Sequence, residues 1–160
     1  MPPVSVRKHL PLTSTLPAVG ADRHTARERA GELFDRVGLP REGLQRRPAA
    51  FSGGQKQRIG IARALAMNPD VLIADESLSA LDASSQAQIL ALLRKLQNEL
   101  GLAILLITHD LRVAAQISHR IAVMQAGRIV EIGPAERVIN SPEHPYTREL
   151  LESAPGRGLV

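Results

Sequence analysis

Two short apolar runs, Val71-Leu72-Ile73-Ala74 and AILLIT at 103–108, restrict the folds open to this chain more than any other feature. Each has the length of a strand and stays apolar until its carboxyl end, the pattern of a parallel strand buried on both faces. Between them residues 83–100 return to helical period, with Ile89, Leu92, Leu93, Leu96 and Leu100 on one stripe and Gly101 following. Strand, helix and strand in that order predict an α/β sheet with crossover connections. In such sheets a ligand sits beyond the carboxyl ends of the strands. Asp75-Glu76 and Thr108-His109-Asp110 occupy those ends.

The flanking segments extend this plan. A helix is expected to open at Thr25-Ala26-Arg27-Glu28, which fits a capping box, to run with apolar residues at Ala26, Ala30, Leu33 and Val37, and to stop at Gly38. Pro40 and Pro48 bracket a loop that delivers the chain to Phe51-Ser52-Gly53-Gly54-Gln55, and a helix over roughly 54–67 follows, ended by Asn68-Pro69. A short helix is predicted at about 111–117. Arg120–Met124 and Arg128–Ile132 are β-like runs around Ala126-Gly127, a hairpin turn. Residues 1–20, rich in Pro, Ser and Thr, read as an irregular lead-in, and 155–160 as a flexible end.

Composition narrows the function classes. With 44% apolar residues in 160, the chain can build one core of ordinary size, but with 2% aromatics and no Trp that core is aliphatic. Stacking of single-stranded bases on aromatic platforms is thereby disfavoured. The net charge of +4 comes from arginines interspersed with acidic residues, as in ADRHTARERAGELFDR. That pattern reads as a solvated surface, not a nucleic-acid patch, and nucleic acid is not expected as a partner. The absence of Cys excludes disulfides, thiolate metal sites and a thiol nucleophile. The longest apolar stretch, LAILLI at 102–107, is far short of the roughly 20 residues of a membrane span, so any work at a membrane must pass through partners.

The chemistry-bearing residues cluster by position. A helix start presents unpaired N–H groups and partial positive charge, which suits an anion, and Gly53 and Gly54 leave no side chain between a phosphate and the backbone. Ser52 can bond there, although SGGQ alone reads equally well as an N-cap and turn without ligand. Asp75 and Glu76 suit metal-nucleotide chemistry, one carboxylate holding Mg²⁺ through water and the other polarising an attacking water. A lone acidic pair or a lone histidine has bland structural readings as well. Order and spacing set this trio apart: Asp75 lies 23 residues after Ser52, and His109 lies 34 after Asp75, each at a strand or helix end.

These residues carry a resemblance to ABC-type ATPases. FSGGQ resembles their signature motif, VLIADE their Walker B strand, Ser79-Ala80-Leu81-Asp82 their D-loop, and Ile107-Thr108-His109-Asp110 their H-switch. The tail AVMQAGRIVEIGPAERVINSPEHPYTRELLESAP, and HPYTRELLESAP above all, is similar to ATP-binding subunits of the oligopeptide, dipeptide, glutathione and nickel import group. The resemblance implies the later, C-terminal portion of an ABC nucleotide-binding domain over residues 21–154. Within it, 21–67 would be the helical signature region, 68–133 would carry Walker B, D-loop and H-switch, and 134–154 the importer tail. The implied fold is a partial P-loop NTPase: a parallel sheet flanked by helices, with the later part of the helical signature subdomain.

By the same resemblance, Ser52, Gly53, Gly54 and Gln55 would meet the γ-phosphate of ATP held mainly by a second nucleotide-binding domain. Asp75 would coordinate Mg²⁺ through water, Glu76 would be the catalytic base, His109 would bridge to the γ-phosphate, and Asp82 would carry communication across the dimer. Implied partners are that second domain, transmembrane permease subunits and, indirectly, an extracytoplasmic solute-binding protein. The implied location is the cytoplasmic face of the membrane, held there by the permease.

Departures from the pattern are equally plain. No GxxxxGK[ST] phosphate loop occurs in these residues and no Q-loop is identifiable; Ser77 stands where the family usually has Pro, and Ala50 where an acidic residue often precedes the signature. The expected reading is an N-terminally truncated ATPase component. The alternatives are a catalytically silent short form that lends only its signature to a complete partner, a non-functional truncated product, or a nucleic-acid-linked ABC ATPase, the last opposed by the tail and the lack of a basic run. Without the phosphate-loop strand, AILLIT and RIAVM are expected to present apolar edges that a further chain would pair.

Overall fold

The computed structural model describes residues 23–75 and 81–153. It divides into two compact units, one up to Leu105 and the other from Leu106 onward.

In the first unit, helix α1 (Arg23–Arg36) is followed by 3-10 turns at Arg41–Gln45 and Pro48–Ala50, then by α2 (Gly53–Leu65), strand β1 (Val71–Asp75) and α3 (Ala83–Leu100). Because α1 is already helical at Arg23, Thr25 lies inside its first turn and does not cap it; no residue between 23 and 25 breaks a helix, so the helix runs past the capping-box signal. Its other end matches expectation. Leu39 N–H donates to Phe34 O at 2.8 Å and Gly38 N–H to Asp35 O at 3.0 Å, the paired bonds of a Schellman motif, with Gly38 at φ 69°. A Cβ on Gly38 would also lie 2.8 Å from Nη1 of Arg58. Gly38→Ala is therefore expected to destabilise the chain by at least about 1–2 kcal/mol, the cost of a left-handed non-glycine residue, with the guanidinium displaced in addition. A urea titration followed by far-UV circular dichroism measures it, and an unchanged midpoint would contradict this account.

Helix α2 packs between α1 and α3. The core holds Leu33, Phe34 and Val37 of α1, Ile61, Ala62 and Leu65 of α2, and Ile89, Leu90, Leu92, Leu93 and Leu96 of α3. Leu100 leaves the predicted stripe, being 43% exposed at the last helical residue, and Leu90 widens the buried face instead. Both phenylalanines of the chain are buried and close on Gly43, where an added Cβ would lie 3.0 Å from Phe34 and 3.4 Å from Phe51. Phe51 thereby anchors the chain one residue before Ser52.

Strand β1 neighbours β2 (Ala103–Ile107), which straddles the boundary between the units, and α3 is the crossover between them. The expectation that both strands are buried on both faces is corrected. Leu72 is buried, but Val71, Ile73, Leu105 and Ile107 are 45–56% exposed, because only one face of this two-stranded sheet is covered among the described residues.

The second unit continues with α4 (Leu111–Ile117), strands β3 (Arg120–Gln125) and β4 (Arg128–Pro134), α5 (Ala135–Asn140) and α6 (Pro145–Ser153). β3 and β4 form the predicted antiparallel hairpin, in a sheet of their own. Ala126 and Gly127 have φ of 49° and 78°, as a two-residue turn with both central residues left-handed requires. A register shift between Val123 and Met124 sets Val123 opposite Glu131 and Met124 opposite Ile129, so Val130 is the extra residue of a bulge. The hairpin's inner face, α4 and α5 enclose Ala114, Ile121, Val123, Ala135 and Val138, with Tyr146 and Leu150 of α6 packed against them.

Candidate functional site

Ser52 caps α2 with a full capping box. Its hydroxyl accepts from Gln55 N–H at 3.3 Å, and the Gln55 side-chain oxygen accepts from Ser52 N–H at 3.0 Å. This places Ser52 and Gln55 on the helix's own backbone, leaving the Ser52 hydroxyl proton to donate outward. The box satisfies the N–H groups of the cap and of the third helical residue. Those of Gly53 and Gly54, at the first and second helical positions, have no intrahelical acceptor. Two adjacent donors remain, at the positive end of a 13-residue helix.

The chain's own packing gives no reason for glycine at either position. Neither residue has a positive φ, and added Cβ atoms would make only ordinary contacts, at 3.6 Å from Leu81 for Gly53 and 3.5 Å from Ser85 Oγ for Gly54. Glycine within a helix costs up to about 1 kcal/mol relative to alanine. Gly38 and Gly43 answer to internal constraints; Gly53 and Gly54 do not. What they permit is close approach of something from outside to bare backbone N–H groups, and an anion fits those donors.

The start of α3 borders the same glycines. Asp82 is its N-cap, accepting from Ser85 N–H at 2.9 Å and from the Ser85 hydroxyl at 2.7 Å. The Ser85 hydroxyl, and after it the Ser85 N–H, hold the Asp82 carboxyl below the usual carboxylate range. Leu81 and Ser85, which flank Asp82, thus lie beside Gly53 and Gly54 within one unit. Asp75, the last residue of β1, is half-buried in that unit. Among the described residues no three His, Cys, Asp or Glu side chains gather as a metal cage. Glu76, Ser79 and Ala80 lie outside the described residues. In the second unit His109 is exposed in the turn before α4, where Thr108 Oγ1 accepts from Asp110 N–H and Asp110 caps the helix through Arg112 and Val113 N–H.

Known proteins share much of this sequence. A family model described as ABC transporter matches residues 2–79, and one described as oligopeptide/dipeptide transporter, C-terminal region, matches 130–157. Residues 2–79 therefore match the ABC transporter family, and residues 130–157 match the C-terminal region of oligopeptide/dipeptide transporters. It is similar to the glutathione import ATP-binding protein GsiA of Pectobacterium atrosepticum, 56% identical over 83% of this chain and 21% of that protein. It is likewise similar to GsiA of Salmonella typhimurium, 55% identical over 81% of this chain and 21% of the relative. The chain thus spans about a fifth of the length of these curated relatives. Among solved structures, cbiO1 of Clostridium perfringens, described as part of the ABC transporter complex cbiONQ, matches at a TM-score of 0.67 and 34% identity over 76% of this chain and 48% of that one. The ABC ATPase fold inferred from the sequence is therefore the fold of this chain.

Two residues that motif reading passed over organise this chain. Arg58 of α2 donates to the Val37 carbonyl at 2.7 Å and to the Gln88 side-chain oxygen at 3.2 Å. Glu131, inside the oligopeptide/dipeptide transporter C-terminal region, is buried at 7% exposure and accepts from the N–H groups of Glu143 and His144 at 3.0 and 3.1 Å, at the mouth of α6. The HPYT segment is then the start of a docked helix. His144 Nδ1 accepts from Tyr146 N–H at 3.2 Å, Pro145 is the first helical residue, and Arg148 ties back to the carbonyls of Pro142 and Glu143. Burial of Glu131 opposes ionisation, but its donors overcome this and hold the carboxyl below the ordinary range. Thr147 Oγ1, fully enclosed nearby, makes no hydrogen bond of regular geometry, so the effect is assigned to the two backbone N–H groups, with the Arg137 charge assisting. A lone Glu inside the apolar strand RIVEI was the available signal.

Proposed function

We propose that these residues form the signature-bearing part of an ATP-binding subunit of a peptide- or glutathione-type importer. They would contribute one half of a composite ATP site whose other half is a second nucleotide-binding domain. The observation that supports this most is the pair of glycines at the start of α2, which cost helix stability and serve no internal contact.

Bound ATP with Mg²⁺ supplies the phosphoanhydride bond to be cleaved and the metal charge that neutralises its oxygens. The chain's residues would serve two different nucleotides. Gly53 and Gly54 N–H groups, with the Ser52 hydroxyl, would receive the terminal phosphate of ATP held mainly by the partner domain. At the chain's own Walker B end, Asp75 would hold the metal through water, Glu76 would orient and deprotonate the attacking water, and His109 would contact the terminal phosphate there. Ser79, Ala80, Leu81 and Asp82 face the partner domain. Among the described residues no helix is long and apolar enough to cross a membrane, so attachment to the inner face of the membrane would run through permease subunits, with a solute-binding protein acting upstream.

Nothing in these 160 residues replaces a GxxxxGK[ST] loop, so the purified chain is expected to show no ATP turnover alone. A coupled phosphate-release assay tests this. In an equimolar mixture with a complete homologous nucleotide-binding domain, ATP-dependent association and added turnover are expected. Turnover by the chain alone that disappears in Glu76→Gln would contradict the half-site reading, as would an absence of ATP-dependent association.

A further inference from the structure

Arg58 joins three helices at one guanidinium. Nη1 takes the carbonyl of Val37 at the carboxyl end of α1, where helix carbonyls lack intrahelical donors, and Nη2 takes Gln88, on α3 one turn beyond Ser85. The approach to Val37 depends on Gly38, whose Cβ would lie 2.8 Å from Nη1. Arg58 itself stands only four residues after Gly54 on α2. One turn earlier on both helices, the Cβ position of Gly54 lies 3.6 Å from Cβ of Ser85, and that of Gly53 lies 3.6 Å from Leu81 Cδ2. The hydrogen bonds of Arg58 run to Val37 and to Gln88 of α3, not to the start of α2.

We infer that Arg58 is a positioning residue for the signature half-site: by fastening α2 to α1 and α3 together, it keeps Gly53 and Gly54 in register with Leu81 and Ser85. The signature and the D-loop residues of one chain then present a single face to the partner domain. A planar fork with several donors can hold two acceptors in different directions, whereas an ammonium is a point charge that holds one well. Lysine is therefore a partial substitute at this position.

The geometric half of this inference is tested without nucleotide. The chain contains no cysteine, so Gly54→Cys with Ser85→Cys creates one pair, with a Cβ separation inside the range of a disulfide. This pair is expected to oxidise readily under mild oxidant, and adding Arg58→Ala is expected to slow closure about 10-fold, with Arg58→Lys between. Equal closure rates in folded Arg58→Ala and parent chains would overturn the inference.

The functional half rests on the composite-site reading and uses the full chain with a complete homologous domain. Arg58→Ala is expected to raise the ATP concentration for half-maximal association about 10-fold and Gln88→Ala about 3-fold, with Arg58→Lys recovering part of the loss. A merely structural role would lower the melting temperature without changing the ATP response of the folded chain, and that result would overturn the inference. Should Arg58→Ala fail to fold, Gln88→Ala decides, because it leaves the bond to Val37 intact. Ser52→Arg separates the two failures: if the parent chain shows no ATP-dependent association, or Ser52→Arg retains it, the half-site reading falls and the inference with it. If Ser52→Arg abolishes association while Arg58→Ala and Gln88→Ala match the parent, the role of Arg58 alone is refuted.

Discussion

Ser52→Asp is expected to abolish ATP-dependent association with a complete homologous domain while leaving the melting temperature of the chain unchanged. Aspartate is as good an N-cap as serine, so it keeps the bond to Gln55 N–H and the stability of α2. What changes is the charge beside the two unpaired N–H groups. A carboxylate about 4 Å from a phosphate oxygen is repelled by about 4 kcal/mol at an effective dielectric constant of 20, so a loss of at least about 100-fold in ATP-dependent affinity is expected even with screening. Sedimentation with and without ATP reads association, and thermal circular dichroism reads stability. An Asp variant that still associates in ATP would mean that this helix start meets no phosphate, and the capping box would then be its whole purpose.

Glu131→Ala is expected to undock α6, lowering the stability of the second unit by about 2–4 kcal/mol. Two charge-assisted hydrogen bonds to Glu143 and His144 disappear, and their N–H groups lose the carboxylate that capped them. Tyr146 is the chain's one tyrosine, there is no Trp, and the ring packs on the hairpin core, so intrinsic fluorescence reports this helix directly. Urea titrations of parent and variant give the difference.

The effect of pH on Glu131 follows from the direction of its shift. The folded pKa lies below the unfolded one, so the unfolded state binds more protons on acidification. The carboxylate's contribution is complete above the ordinary carboxylate range and is lost as pH falls through the lower, folded value. Glu131→Gln is expected to cost most near neutrality and progressively less as the pH is taken down through that window. A parent–variant difference independent of pH from 7 to about 3 would show that the charge of Glu131 is not what holds α6.

Much of the architecture was legible because local patterns report local structure. The 3.6-residue period of Ile89, Leu92, Leu93 and Leu96 marked α3, and Ala126-Gly127 marked the hairpin turn, because left-handed backbone has few takers. Gly38 closed α1 as read, with both Schellman bonds present. Thr25 misled because a capping box in sequence announces only that a helix can start there, and the helix continues upstream where nothing breaks it. Leu100 misled because periodicity names a stripe without saying where its cover ends. The exposed faces of Val71, Ile73, Leu105 and Ile107 were unreadable for a related reason: an apolar run states what a strand is able to bury against, and not which chain supplies the cover.

At the candidate site, residue identity and spacing by themselves determined which chemistry is available: a capped helix start with two glycines, carboxylates at one strand end and a histidine at the next. Those are properties of side-chain type and order along the chain, and they sufficed for the family resemblance. Only the tertiary structure decided how that chemistry is held. It showed that Gly53 and Gly54 are free of internal duty, that Leu81 and Ser85 stand beside them, and that Arg58 and Glu131 fasten α2 and α6. These contacts join residues between 12 and 30 positions apart in the fastening bonds, and no local period encodes which distant carbonyl or N–H a buried charged group will meet.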